Sequence, residues 1–105
     1  MSSEIETIRK ALKKFANDRD WEKFHTPKNL AMALAGEAGE LVAEFQWLTP
    51  EESQNLTKEQ LLAVEMEIAD VAIYLIRLAD QLGLNIYEAA MAKIHLNKQR
   101  FPESL

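Results

Sequence analysis

The stretch LLAVEMEIADVAIYLIRLA, residues 61–79, decides the fold. Its apolar residues occupy nearly every side of a helix. A helix that is hydrophobic on every side must be buried on every side. A chain of 105 residues can hardly enclose one of its own helices completely. We therefore expect this helix to pack against symmetry mates in a homo-oligomer. One unusually apolar helix in a monomer is the alternative.

The rest of the chain predicts three further helices and no strand. Only three glycines and three prolines occur, and no segment alternates apolar and polar residues over the length of a strand. Thr26 and Thr57 are expected N-caps, and Pro27 fits the first helical position. The predicted helices span about residues 3–17, 27–47, 57–82 and 85–100, with a short helical turn from Thr49. We therefore predict one all-α domain over residues 1–105, an antiparallel four-helix bundle whose second and third helices are buried in a homo-oligomer.

The composition limits the classes of function. The formal net charge of -5 argues against binding to a nucleic-acid polymer or to an anionic membrane surface. The absence of cysteine excludes disulfides, thiolate metal ligands and a cysteine nucleophile. The segment MSSEIETIRK lacks the apolar run of a signal peptide, and no uncharged apolar stretch reaches the length of about 18 residues that a membrane span needs. We expect a cytoplasmic protein.

Four carboxylates interrupt the apolar helices in two matching pairs. Glu67 and Asp70 lie three residues apart on the third predicted helix, and Glu37 and Glu40 repeat this spacing on the second. Residues three apart share a helix face, so two packed helices can bring the pairs together in an oxygen-rich site suited to Mg²⁺ or Mn²⁺. Such spacings are also common on solvated helix faces. The apolar surroundings of Glu67 and Asp70 favour a metal site, because unpaired buried carboxylates are costly.

Three other residues of the second predicted helix bear on this site. Glu44 continues the acidic stripe, either as an additional ligand or as a solvated residue. Gly36 and Gly39 are expected to let two helix backbones approach closely. A di-iron carboxylate bundle is disfavoured, because its Glu-x-x-His pairs are missing from these helices.

The acidic pairs and their flanks resemble a known family. The motif E-x-x-E, followed after 26 residues by E-x-x-D, is similar to that of the all-α MazG-like nucleoside triphosphate pyrophosphohydrolases. The segments FHTPKNLAMALAGEAGELVAEFQW (24–47), EIADVAIYLIRLAD (67–80) and KIHLNKQRFP (93–102) resemble the compact dCTP pyrophosphatase branch. The resemblance implies a MazG-like four-helix bundle that acts as a dimer or as a tetramer built from two dimers.

The resemblance also implies a reaction and its ligands. It implies hydrolysis of a nucleoside triphosphate to a monophosphate and pyrophosphate, dependent on Mg²⁺ with Mn²⁺ as a substitute, in nucleotide-pool house-cleaning. By this resemblance Glu37, Glu40, Glu67 and Asp70 are the metal ligands and the catalytic residues. Phosphoryl transfer depends mainly on positioning and charge neutralisation, which suits a site made of carboxylates and a metal.

Two more groups of residues are candidates for substrate contacts. The resemblance assigns the base pocket to Trp21, His25, Trp47 and Tyr74, with Asn29 as an additional polar candidate. Tyr74 follows Asp70 by four residues and so shares its helix face, although aromatic residues in small bundles more often belong to the core. A stripe on the last predicted helix, either solvated or in contact with phosphates, contains Lys93, Asn97 and Arg100. His95 lies off this stripe and is given no role.

Three functional hypotheses follow. The first is a pyrophosphohydrolase selective for dCTP or modified dCTP. The second is a broader MazG-like enzyme that accepts several triphosphates. The third, from another class, is a nonenzymatic helical interaction module whose acids are surface charge. Burial of Glu67 and Asp70 would argue against the third, because an interaction module gains nothing from charges within its apolar surface.

Overall fold

The computed structural model describes residues 3–104, with side chains from residue 4 onward. This range folds into helices joined by turns and contains no strand. A 3-10 turn at Glu22–Phe24 follows the first helix, and the α-helices are α1 (Ser3–Asp18), α2 (Pro27–Ala43), α3 (Pro50–Ser53), α4 (Lys58–Gln81) and α5 (Ile86–Arg100). The all-α fold class predicted from the sequence is confirmed.

Local capping explains where the helices begin. The Thr26 hydroxyl accepts a hydrogen bond of 3.2 Å from the backbone N–H of Asn29 at the start of α2. Thr57 and Gln60 form a reciprocal capping box at the start of α4, with bonds of 3.1 and 2.8 Å. A further capping box begins at Thr49 and opens α3. Each cap satisfies backbone N–H groups that have no partner within the helix.

The C-terminus of α2 differs from the prediction. The helix ends at Ala43 instead of continuing to Trp47, and turns occupy residues 44–47. The backbone N–H of Glu44 bonds to the carbonyl of Leu41 at 3.2 Å, across three residues rather than four. Such bonds satisfy the last helical carbonyls while they tighten and end the helix. Trp47 is therefore not carried on a face of α2.

Helix α4 is the centre of the packing. It packs chiefly against α2 and to a smaller extent against α1, whereas α5 contacts the other helices only sparsely. The α2–α4 pair is antiparallel, since the chain before α2 lies beside the C-terminal end of α4, where Gln81 donates to the His25 carbonyl at 2.8 Å. The buried apolar core is small and consists of Ala16, Leu30, Val64, Ile76 and Ala79.

Much of the apolar surface stays exposed in one chain. The accessible surface is 8372 Å², whereas a compact monomer of 12.0 kDa would expose about 6,000 Å². On α4, Leu62 and Met66 are 61% and 59% exposed, although this helix carries the most apolar stretch of the sequence. No helix in residues 3–104 is long and apolar enough to cross a membrane.

The two glycines of α2 do not have the role that the sequence suggested. A Cβ atom added to Gly36 or to Gly39 would find no neighbouring atom within 4 Å. The expectation that they permit close approach of two helix backbones is therefore wrong within this chain. The α2–α4 contact is made by other faces of α2, and both glycines lie exposed.

Candidate functional site

The packing of α2 against α4 brings the two predicted acidic pairs together. Burial raises the pKa of Glu37, and the charges of Glu40, Asp70 and Glu67 raise it further. These effects require the carboxylates of the two helices to be neighbours, because a charge shifts a pKa strongly only over short distances. The two acidic pairs therefore lie near each other along the contact between α2 and α4.

Glu44 also belongs to this acidic cluster, which we define as Glu37, Glu40, Glu44, Glu67 and Asp70. The pKa of Glu67 is raised by burial, and then by the charges of Glu40, Asp70 and Glu44. Glu44 is half-buried just after the last residue of α2. The acidic cluster thus contains one carboxylate more than the four-residue motif, one turn after Glu40.

Two carboxylate oxygens in the cluster are buried without a partner. Oε2 of Glu37 and Oε2 of Glu67 are shielded from solvent, and neither accepts a hydrogen bond within the described residues. Buried polar atoms are nearly always satisfied, and an unpaired buried carboxylate is especially costly. Two such oxygens on facing helices, in a donor set made only of carboxylates, fit a hard divalent cation such as Mg²⁺.

The carboxylates are neighbours without being gathered around one point. Among residues 3–104 no three His, Asp or Glu side chains converge closely enough to hold an ion in their present rotamers. Neighbouring carboxylates repel one another, and no Lys or Arg forms an ion pair with Glu37, Glu67 or Asp70 in the described part of the chain. The chemistry of the donor set fits a cation, while the side chains stand apart.

An aromatic pocket adjoins the cluster. Its volume is about 430 Å³, and its lining residues come from α1, the 3-10 region and α4: Leu12, Phe15, Ala16, Trp21, His25, Asp70, Ile73, Tyr74 and Arg77. Asp70 belongs both to this pocket and to the acidic cluster. A ligand in the pocket would therefore have its polar end beside the carboxylates.

The rings of the pocket brace one another. Phe15 meets Trp21 edge to face, with ring centroids 5.5 Å apart. Trp21 lies 6.0 Å from the His25 ring at an angle of 57°. Edge-to-face and tilted pairs at these distances are favourable for aromatic rings. The pocket thus presents preformed aromatic edges and faces rather than loose side chains.

Comparison with known proteins assigns this chain to a family. The model of the MazG-like family matches residues 33–104, which include the whole acidic cluster. The chain belongs to the MazG-like family. It is 41% identical over 103 residues to dCTP pyrophosphatase 1 from Homo sapiens, and 40% identical over the same length to the Bos taurus protein. Each match covers 96% of this chain and 61% of the relative, so the chain spans about three fifths of the length of these curated relatives.

A solved structure shows the same architecture. A pyrophosphatase from Archaeoglobus fulgidus superposes with a TM-score of 0.89 at 38% sequence identity. The match covers 95% of this chain and 94% of the archaeal one. The MazG-like arrangement of helices is therefore shared along nearly the whole chain.

Three of the four predicted base contacts meet in the pocket, and the fourth does not. Trp21, His25 and Tyr74 all line it. Trp47 is 86% exposed in the turn after α2 and does not line it within this chain. Asn29 does not line the pocket. Its side-chain amide donates to the Phe24 carbonyl at 3.0 Å, and its backbone N–H donates to the Thr26 hydroxyl.

The predicted phosphate contacts lie on the sparsely packed helix α5. Lys93 and Arg100 are exposed, and Asn97 is half-buried. None of these three side chains lines the aromatic pocket or forms an ion pair with the acidic cluster in residues 3–104. His95, which was given no role, is exposed and lies 3.4 Å from the amide of Gln99.

Sequence reasoning missed two residues of the pocket. Phe15 is given no role by the sequence analysis, yet its ring forms the wall beside Trp21. Arg77 is 3% exposed and is the only charged residue buried among the described side chains. A signal for Arg77 was present, because a single cation in the stretch AIYLIRLA (72–79) cannot be buried without partners.

Proposed function

We propose that this MazG-like chain hydrolyses a nucleoside triphosphate, with dCTP or a modified dCTP as the preferred substrate, to the monophosphate and pyrophosphate in nucleotide-pool house-cleaning. One observation carries the proposal most directly. Asp70 joins an aromatic pocket large enough for a small ring system to a cluster of carboxylates with unpartnered oxygens. A ligand that is aromatic at one end and strongly anionic at the other matches both halves of the site, provided that a cation lies between its anionic end and the carboxylates.

The comparisons support the same class of reaction. Relatives with about 40% identity are named dCTP pyrophosphatase 1, and the similar archaeal structure is described as a pyrophosphatase. The alignment includes the pocket residues of α1 and α4 as well as the acidic motif, since it covers 96% of this chain. These names suggest the candidate substrate, and the pocket beside the acidic cluster supports the proposal.

A divalent cation is part of the proposal. Glu37, Glu40, Glu67 and Asp70 would hold Mg²⁺, with Mn²⁺ as a substitute, and the metal would supply positive charge to the triphosphate oxygens and acidify a bound water. Glu44 lies beside Glu67 and is a candidate to accept a hydrogen bond from that water. The unpaired Oε2 atoms of Glu37 and Glu67 are the observation that supports these assignments.

In this proposal, residues of the chain bind the base and accept the proton of the attacking water. Stacking against Trp21 and Tyr74 fixes the base, so that the α-phosphate lies over the acidic cluster. The oxygen of water attacks the α-phosphorus, and the bond from that phosphorus to the bridging oxygen breaks in line with the attack. One glutamate of the acidic cluster takes the proton that the water loses, and pyrophosphate leaves with the bridging oxygen.

We also propose that the working form is a homo-oligomer, either a dimer or a tetramer of two dimers. The single chain exposes about 2,400 Å² more surface than a compact monomer of its mass. A standard interface buries about 800 Å² per partner, so this excess is enough for more than one contact. Because α5 packs only sparsely within its own chain, its stripe Lys93, Asn97 and Arg100 would contact the phosphates over the carboxylates of a neighbouring copy.

A panel of nucleoside triphosphates tests the function. The full chain is incubated with Mg²⁺ and each canonical, methylated or halogenated triphosphate, and pyrophosphate and phosphate are measured separately. We expect pyrophosphate and monophosphate, with the highest kcat/KM for dCTP or a modified dCTP. Similar rates for many triphosphates would favour the broader MazG-like enzyme. No turnover of any member would favour the nonenzymatic interaction module.

A further inference from the structure

Arg77 forms the centre of a buried polar network beneath the aromatic pocket. Its Nε atom donates to Nδ1 of His25 at 3.1 Å, and one Nη atom donates to Glu22 at 2.6 Å. The other Nη atom forms an ion pair of 3.5 Å with Asp80, whose second oxygen pairs with Arg9 at 3.2 Å. The guanidinium is thus held between the 3-10 region and its own helix α4, and its orientation is fixed.

This contact determines where the proton of His25 lies. An arginine Nε always carries hydrogen and can only donate. Nδ1 of His25 must therefore accept, which requires an unprotonated Nδ1 and a neutral ring with its hydrogen on Nε2. The backbone of His25 is held as well, because its carbonyl accepts a hydrogen bond of 2.8 Å from the Gln81 amide.

The surroundings of His25 also favour its neutral form. Burial and the Arg77 charge lower the pKa of His25, and the charge of Glu22 opposes them. Besides Arg77, the ionisable residues that line the same pocket are Asp70 and Tyr74, while α1 contributes only apolar side chains there. In the described chain no residue is hydrogen-bonded to Nε2 of His25, so this N–H remains for a ligand.

We propose that Arg77 is a positioning residue that holds His25 as the neutral Nε2–H tautomer, so that the pocket offers one fixed hydrogen-bond donor to the edge of the base. This inference rests on the proposed function for the identity of the ligand, but the tautomer itself does not depend on it. A pyrimidine would have to present an acceptor, a carbonyl oxygen or an unprotonated ring nitrogen, to this donor. A base that presents an N–H there leaves two donors facing each other, which costs affinity.

The tautomer can be observed directly in the free protein. The chain contains only two histidines, and His95 is exposed and serves as an internal reference. With ¹⁵N-histidine labelling, long-range ¹H–¹⁵N spectra of the full chain should show His25 wholly as Nε2–H, and still neutral just below the ordinary histidine pKa of 6.5. A His25 ring with the proton on Nδ1, or one already charged at that pH, overturns the proposal whether or not the chain hydrolyses nucleotides.

Two substitutions of His25 distinguish the roles of its two ring nitrogens. In His25→Asn, the amide oxygen can replace Nδ1 as the acceptor for Arg77, but the distal donor is lost. In His25→Gln, the amide nitrogen can replace the distal donor, but the acceptor for Arg77 is lost. With α,β-imido-dCTP and Mg²⁺ as the probe, followed by tryptophan fluorescence, we expect Kd to rise about 3- to 10-fold in His25→Asn and less in His25→Gln. An unchanged Kd in His25→Asn, or a larger loss in His25→Gln, contradicts the proposed donor.

Arg77→Lys tests the positioning role. Lysine keeps the positive charge but cannot bind Glu22, Asp80 and His25 at once. We expect this variant to show a mixture of His25 tautomers and a KM for dCTP raised about 3- to 10-fold, with kcat little changed.

If Arg77→Lys fails to fold, the spectra of the unmodified chain still decide the tautomer. If it folds and His25 remains wholly Nε2–H, Arg77 does not position the ring. If no probe nucleotide binds to any form while the tautomer is as stated, the proposed function fails and the arrangement of Arg77 and His25 stands.

Discussion

Glu37 on α2 and Glu67 on α4 both lie at the contact between these helices, where burial, followed by the charges of Glu40, Asp70 and Glu67, raises the pKa of Glu37. Each of them buries one carboxylate oxygen that accepts no hydrogen bond in the described chain. Two like charges on facing helices weaken the fold unless a cation or protons neutralise them. The stability of this chain should therefore depend on divalent metal and on pH in a manner that single substitutions can reveal.

The first prediction concerns removal of one carboxylate. Glu67→Gln should lose at least about 100-fold in Mg²⁺-dependent kcat/KM, because an amide replaces an anionic ligand. Without metal the same variant should melt at a temperature equal to or above that of the unmodified chain, since a buried like charge is gone. Glu40→Gln should likewise fold and lose activity. Melting is followed by circular dichroism in EDTA and in Mg²⁺.

Glu65→Gln is the matched control. Glu65 is exposed on the same helix, two residues before Glu67 and so on a different side of α4. It should retain the activity of the unmodified chain and the rise in melting temperature on addition of Mg²⁺. Full activity in Glu67→Gln would refute the metal site.

The second prediction concerns pH. Burial and neighbouring charges raise the pKa of Glu37 and Glu67 above the ordinary value of 4.5, so the folded metal-free chain binds protons that the unfolded chain has released. Stability must then fall as the pH rises from about 4.5 through the raised pKa of the folded state, and return on acidification. The melting temperature in EDTA should therefore drop more steeply between pH 5 and pH 8 than in the Glu37→Gln, Glu67→Gln double variant. Parallel curves for the two proteins would show that these carboxylates are not neighbours in solution.

The third prediction concerns the aromatic pocket. Trp21→Ala should raise KM for dCTP about 5- to 150-fold with a smaller effect on kcat, because stacking of a base on an aromatic ring contributes about 1–3 kcal/mol. Phe24→Ala removes an exposed ring just outside the pocket and should leave KM unchanged. Initial-rate kinetics over a range of dCTP concentrations separate the two parameters. Equal effects of both substitutions would mean that Trp21 acts through the fold rather than on the base.

Local signals in the sequence predicted much of this architecture. The Thr26 and Thr57 caps and the helix starts followed from side chains that bond within three residues. The acidic cluster followed from helical spacing together with the assumption that the second and third helices pack. Arg77 and His25 are 52 positions apart in the sequence. Because local patterns reach only a few residues, they do not predict which residue pairs with a buried cation.

Other errors have equally physical causes. The sequence predicts a second helix that extends to Trp47, but tightening at Glu44 ends the helix earlier. The glycines of α2 were read as packing residues because small residues often mark close helix contacts. Residue size does not reveal which face of a helix meets its neighbour, and here the glycine face is open.

The fourth prediction concerns assembly. Leu62 and Met66 lie one turn apart on α4 and are exposed in the single chain, so charges at these positions should prevent association without disturbing the chain's own core. The Leu62→Lys, Met66→Lys variant should sediment as a smaller species than the unmodified chain, which we expect to be a dimer or a tetramer. Glu51→Lys on α3 adds a lysine at another exposed position and should sediment like the unmodified chain. A stable monomer of the unmodified chain at micromolar concentration would contradict the oligomer.

The fifth prediction asks which copy supplies the phosphate contacts. Lys93→Ala and Glu40→Gln chains should each be inactive alone. If the α5 stripe serves the carboxylates of a neighbouring copy, a mixed oligomer contains sites that join the intact cluster of one chain to the intact stripe of the other. Co-expression with two affinity tags isolates the mixed dimer, in which one of the two sites is intact, so about half of the unmodified activity should return. Glu40→Gln mixed with Glu67→Gln is the control and should restore none, because both substitutions lie in one cluster. Recovery no greater than that of the separate variants would place the stripe and the carboxylates of each site on the same chain.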